Sequence, residues 1–321
     1  MRLRYFTLPL LALLLTSCGG RQQQPLSEAA AGDTLTGTIQ LSGAFALYPM
    51  AVKWAEDFRK LHPGVKIDIS GGGAGKGMTD ALAGVVDIGM VSREVYPEEL
   101  AKGAYPIAVV KDAVVPTVNA ANPEAASIRQ TGITREKAAR LWNGEISTWG
   151  QLLGTASKAP VHVFTRSDAC GAGETFAAWR GKRQEGLKGT AVYGDPGVAS
   201  AVQKDRVGIG YNNIAYVYDQ HTKKPYDGIA VIPLDTNGDG KISADEDFYA
   251  TSETLIRAIR EGRFPSPPAR DLYMVTKGKP ATPALVAFLN YVLSDGQQYV
   301  GEIGYIGLSA EQLAAEKNKV N

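Results

Sequence analysis

Cysteine is almost absent: Cys18 and Cys170 are the only two in 321 residues. Two thiols so far apart exclude a disulfide framework and a cysteine zinc cluster. Histidine is nearly as scarce, and His62, His162 and His221 stand at no metal-ligand spacing. Neither sign of charge dominates, with 34 Lys and Arg against 33 Asp and Glu. No global field therefore draws the chain to nucleic acid or to an anionic surface. What remains is 44% hydrophobic and 21% charged, an ordinary globular composition. At about 150 residues per domain, the length predicts two.

The N-terminus reads as an export signal. Arg2 and Arg4 precede an apolar run from Tyr5 to Leu15, which ends in Leu15-Thr16-Ser17-Cys18. A basic start, a short apolar stretch and small residues mark a secretory signal. The run falls short of the about 20 residues a membrane-spanning helix needs. Its end resembles a bacterial lipobox, which implies removal of residues 1–17 and acylation of Cys18. Several acyl chains would hold the protein at a membrane through the lipid alone. Residues 18–33 carry Gly-Gly, three Gln and an Ala run without apolar periodicity, and read as a flexible tether.

From residue 34 onward strand and helix patterns alternate. Residues 36–41 alternate polar and apolar; residues 48–61 carry Ala51, Val52, Trp54, Ala55 and Phe58 at helical spacing. This rhythm predicts an α/β fold with largely parallel, mixed sheets flanked by helices. Residues 108–119 form a long apolar strand that ends at the Asn122-Pro123 break. We read 34–118 and 229–321 as a discontinuous first lobe and 119–228 as a second lobe inserted in it.

Three strand ends lead through small residues into helices. They are Ser42-Gly43-Ala44-Phe45-Ala46, Gly71-Gly72-Gly73-Ala74-Gly75, and Arg166-Ser167-Asp168-Ala169-Cys170-Gly171-Ala172-Gly173-Glu174. A helix start offers unpaired N–H groups and a partial positive charge, and small residues let an anion approach them. Arg166 adds a planar fork of donors suited to an oxyanion. A nucleotide-binding loop does not fit: Ser70 stands where the first Gly should be, and Gly77 follows Gly75-Lys76 where Ser or Thr is needed.

Taken together, these turns resemble the PstS-like phosphate-binding proteins of bacterial ABC importers. Val86-Asp87-Ile88-Gly89, Asn119, Trp149, Ile209-Gly210-Tyr211 and Leu272-Tyr273-Met274-Val275 extend the likeness from about residue 38 to about 308. The resemblance implies a two-lobe, Venus-flytrap architecture. It also implies a monomer that closes on phosphate or a related oxyanion and delivers it to an importer permease. Carried over, the site comprises Ser42, Gly43, Ala44, Phe45 and Ala46, then Gly73, Ala74 and Gly75, then Arg166, Ala172, Gly173 and Glu174. Several hydroxyl donors of the family are missing. Ser92 stands where the family has its acceptor Asp, followed by Arg93, which is read as a second anion contact in preference to a partner of Glu94 or Glu98. Asp168 or Glu174 is the candidate replacement for that carboxylate. An acceptor there would favour hydrogen phosphate over sulfate, which has no proton to give.

Residues 235–246 match a calcium loop at all twelve positions. Asp235, Asn237 and Asp239 supply oxygens at positions one, three and five, Gly240 the sharp turn, and Glu246 the bidentate carboxylate. Lys241 would offer its carbonyl and Ser243 its hydroxyl. A strand-like stretch precedes the loop in place of a helix, so a structural calcium site in the first lobe is expected. For catalysis the pattern is poor. Cys170 with His162 is one pairing and a phosphatase on this scaffold is the enzyme alternative, yet no nucleophile elbow or His-rich centre appears. The expectation is an exported binding protein, not an enzyme.

Overall fold

The computed structural model describes residues 34–321. The expected signal, the acylated Cys18 and the tether lie outside the described residues. Residues 35–321 form one compact body.

The first third runs β1 (Gly37–Gly43), α1 (Tyr48–Leu61), β2 (Val65–Gly71), α2 (Gly73–Ala83), β3 (Ile88–Val91), α3 (Pro97–Ala101) and β4 (Ala104–Asn119). Next come α4 (Ala125–Thr131), α5 (Arg135–Trp142), α6 (Trp149–Leu153), β5 (His162–Arg166), α7 (Gly171–Trp179), β6 (Thr190–Val192), α8 (Gly194–Lys204), β7 (Gly208–Asn213), β8 (Ile229–Val231) and α9 (Ser252–Arg260). The chain closes with β9 (Ala269–Lys277), α10 (Pro283–Val292), α11 (Val300–Ile303) and α12 (Ala310–Val320).

The helical stripe of α1 is buried through Met50, Ala51, Trp54, Ala55 and Phe58, and Pro in its first turn costs no hydrogen bond. β1 pairs in parallel with β2 and β3, and β5 with β6 and β7. β9 joins these halves, antiparallel to both β3 and β4. The strand order is β2-β1-β3-β9-β4-β7-β5-β6, with β8 paired to β4.

Two apolar cores lie along this sheet. One gathers Ile39, Trp54, Phe58, Ile107, Val110, Leu272 and Phe288; the other gathers Ala113, Val115, Trp142, Trp149, Phe176, Tyr211 and Phe248. β4 passes from the first core to the second between Val110 and Ala113, and β9 returns between Ala269 and Leu272. This moves the expected lobe boundaries. Residues 113–118 and 229–269 pack with the second core, not the first. The reason is that β4 runs through the crossing as a single strand, so no turn residue marks it. The calcium-type loop moves with that boundary. Leu234, Phe248 and Tyr249 around it belong to the second core, and Ile242 N–H donates to Gln130 O on α4.

α2 approaches the sheet closely because Gly77 has no side chain. A Cβ there would stand 2.5 Å from Met90 O, 2.8 Å from Ser42 O and 2.9 Å from Gly43 Cα, all backbone atoms of β1 and β3. We expect Gly77→Ala to lose about 1–3 kcal/mol in urea unfolding. Gly301→Ala, with nothing within 4 Å, should be neutral or gain up to about 1 kcal/mol. Equal stability of the two variants would refute this packing.

Candidate functional site

The three glycine-rich turns converge. The Phe45 ring lies against Gly71 and Gly194, and the Arg166 guanidinium stands 5.7 Å from its centroid. Gly75 N–H donates to Ala169 O at 3.0 Å, and Gly73 faces Asp168. Ser92, buried at the end of β3, backs directly onto Gly171. Residues of both lobes therefore meet around the starts of α2 and α7.

Arg166 is the centre of this cluster, with only 1% of its side chain exposed. Its Nε and Nη2 donate to the two oxygens of Asp168 at 2.8 and 2.6 Å, and Nη1 donates to Asp195 Oδ2. Burial opposes the charge on Arg166. The Asp195 and Asp168 carboxylates more than offset it and raise its pKa. Asp195 is held in turn by the Asn213 amide at 2.6 Å and, at its carbonyl, by Asn212 at 3.0 Å. Gly194 N–H donates to Asp168 Oδ1 at 3.1 Å.

α7 begins at Gly171, ahead of the carried-over Ala172, Gly173 and Glu174. Cys170 is its N-cap, with Gly173 N–H donating to Sγ at 3.1 Å. The amides of Gly171 and Ala172 are the ones with no acceptor one turn back. Gly173 and Glu174 lie inside the helix. Burial pushes the Cys170 thiol up to about 12, and His162 pairs with Asp205 at 2.6 Å. This arrangement offers no activated nucleophile.

Several expected contacts are engaged elsewhere. Ser42 donates its hydroxyl to Asp80 at 2.6 Å. Gly43 is a packing glycine, closed in by Met90 O and Gly77. Ala44 N–H donates to Met90 O, and the Ala46 carbonyl accepts from Tyr305. Ala74 is fully buried in the first turn of α2. Arg93 is not an anion contact: its Nη1 and Nη2 donate to the two Glu99 oxygens at 2.9 and 2.7 Å. Nor is Glu174 the missing acceptor, because it accepts from Tyr96, Arg183 and the Gln184 backbone. The Arg93 fork thus holds the Glu99 carboxylate bidentately, and its Nη1 also donates to Glu94 O at 2.8 Å.

That Tyr96–Glu174 bond, at 2.6 Å, joins the lobes. The Tyr96 ring also lies 4.2 Å from the Arg93 guanidinium and 4.5 Å from that of Arg183, a cation–π sandwich. Burial, then Glu174, pushes the Tyr96 hydroxyl up to about 12. Sequence reading missed Tyr96 and Asp195. Only Asp195 had a signal, since Tyr193-Gly194-Asp195-Pro196-Gly197 is a fourth glycine-rich helix start.

In the loop at 235–246, Asp235 accepts from the Gly238 and Gly240 amides, and Glu246 from Thr236, Asn237 and Ser243. Burial resists ionisation of Glu246, but these donors draw its pKa down to about 2. The donor set is all hard oxygen, which fits calcium chemically. No three His, Cys, Asp or Glu side chains are gathered as a metal cluster among the described residues.

A family model for the PBP superfamily domain matches residues 28–296. Phosphate-binding protein PstS of Bacillus subtilis is 25% identical over 313 residues, 95% of this chain and 93% of that protein. The Pseudomonas aeruginosa phosphate-binding protein PstS is 28% identical over 315 residues, 91% of this chain and 89% of its own length. Among solved structures, a protein from Clostridium perfringens is similar at a TM-score of 0.69 and 25% identity. It is described as a phosphate ABC transporter substrate-binding protein with bound phosphate, and the match spans 85% of this chain and 100% of that one.

One buried acid can be tested directly. Burial pushes the Asp112 carboxyl from 3.8 up to about 6, against the pull of the Arg270 charge. The native state thus keeps a proton that the unfolded chain has shed. The stability from this linkage is full at low pH and lost as pH rises from 3.8 through about 6. Asp112→Asn should flatten that limb in urea midpoints measured against pH. An unchanged slope would contradict the assignment.

Proposed function

The chain belongs to the PBP superfamily, and on that premise we propose that it captures phosphate or a closely related oxyanion between its lobes for delivery to an ABC importer. The observation that carries this reading is the convergence of the α2 and α7 starts on buried Arg166. Helix-start amides and a guanidinium are the donors an oxyanion takes, and closure of the lobes strengthens them by excluding water. The names of the relatives point the same way. The N-terminal pattern supports export and acylation at Cys18. Among the described residues no helix is long and apolar enough to cross a membrane.

The site departs from a simple anion cradle in its charge. Asp168 and Asp195 already neutralise Arg166, so a ligand must share its fork with them. Titration calorimetry should show phosphate binding, weakened roughly 10–100-fold in Arg166→Met, the loss expected for hydrogen bonds to a charged group. Melting shifts across phosphate, sulfate, molybdate, tungstate and phosphate esters rank the ligands. A melting curve that no anion moves would overturn the reading.

Calcium at 235–246 is a separate, structural proposal. Its support is the twelve-position match and the positive φ of +79° at Gly240, where the loop must turn sharply. Added calcium should raise the melting temperature, and Asp239→Ala should abolish the rise. A melting curve indifferent to chelator would remove the proposal.

A further inference from the structure

β4 and β9 carry the chain between the two cores, and at that crossing Asp112 and Arg270 are cross-strand partners. Both side chains are buried, 1% and 6% exposed. Arg270 reaches away from its partner strand. Its Nη1 donates to Thr175 Oγ1 on α7 at 3.1 Å, and its Nη2 to Asn213 Oδ1 on β7 and, at 3.4 Å, to Asp112 Oδ2. Asn213 then donates through Nδ2 to Asp195, which accepts from Arg166. A continuous polar chain thus runs from the hinge strands to the anion-binding arginine.

The pair is badly arranged for its own stability. Arg270 Nε and Asp112 Oδ1 are buried with no hydrogen-bond partner among the described residues. Replacing such pairs by apolar side chains is often neutral or stabilising. What the guanidinium does achieve is to orient an amide. Arg270 has only donors, so Asn213 must turn its oxygen toward it; Asp195 has only acceptors, so it receives the Asn213 NH2. Without Arg270 that amide keeps only its Asp195 anchor and loses the donor that fixes its oxygen.

We propose that Arg270 is a positioning residue for the anion site, acting through Asn213 and Asp195 on Arg166. This rests on the reading of Arg166 as an oxyanion ligand. The proposal makes Asn213 a strict relay: once the amide is gone, Arg270 has nothing left to orient.

The test is calorimetry and stopped-flow release of inorganic phosphate with the full chain. Arg270→Met and Asn213→Leu should each bind phosphate about tenfold more weakly, with faster release. The double variant should be no weaker than either alone, within about twofold, because the two act in series. Asp112→Asn/Arg270→Met leaves no buried charge unpaired, so it should melt like the unsubstituted protein and still bind about tenfold more weakly. Phosphate affinity retained in Arg270→Met or in that charge-free pair overturns the proposal. So do multiplying losses in the Arg270/Asn213 double variant, which mark independent structural damage. Failure of the unsubstituted protein to bind phosphate overturns the underlying reading, and this proposal with it.

Discussion

The organisation of the second lobe depends on one buried cation and the two acids that hold it. Arg166 ends β5 deep in the protein, where an isolated guanidinium would be strongly disfavoured. Asp168 and Asp195 make its burial tolerable, and each brings an element with it. Asp168 fixes the turn before α7 and touches the start of α2; Asp195 fixes the start of α8. Moving the arginine would therefore displace three helix starts at once, two of which, those of α2 and α7, form the proposed anion site.

The same neutralisation sets the electrostatic character of the site. Net charge near zero over the whole chain does not argue against an anionic ligand, because recognition would rest on local dipoles and one guanidinium. It does mean that affinity depends on how far the two carboxylates yield Arg166 to a newcomer. In this respect the site is finely balanced, and small changes in the orientation of Asp195 matter more than changes in surface charge.

Much of the fold was legible in local patterns. The alternation in β1, the apolar stripe of α1 and the glycine-rich turns sat where period and turn chemistry put them, and Arg166 stood out as the donor beside them. The lobe boundary was not legible. Its crossing lies inside β4, between the buried pairs Val109-Val110 and Ala113-Val114, where Lys111 and Asp112 break the apolar run but no turn residue ends the strand. Side-chain partners were also out of reach, since Glu99 and Arg93 or Glu174 and Tyr96 are joined only by tertiary folding. Asp195 was within reach, because its glycine-flanked helix start repeats the pattern of the other three. Arg270 and Asp112 carried no local signal; their meaning comes from register across two strands 158 residues apart.

The hinge ribbon has a mechanical consequence. β4 and β9 run antiparallel across the boundary, so tension between the lobes is borne by covalent backbone, and the ladder joining the two strands lies crosswise to it. Rotation of one lobe on the other can twist this ribbon without undoing a rung. If the lobes part as the proposed function requires, the contacts that must give way include Tyr96 with Glu174 and Arg183, Gly75 with Ala169, Ser92 with Gly171, and the Phe45 ring with Gly194. In such a motion the ribbon would keep the lobes at a fixed distance while the contacts across the cleft are made and broken.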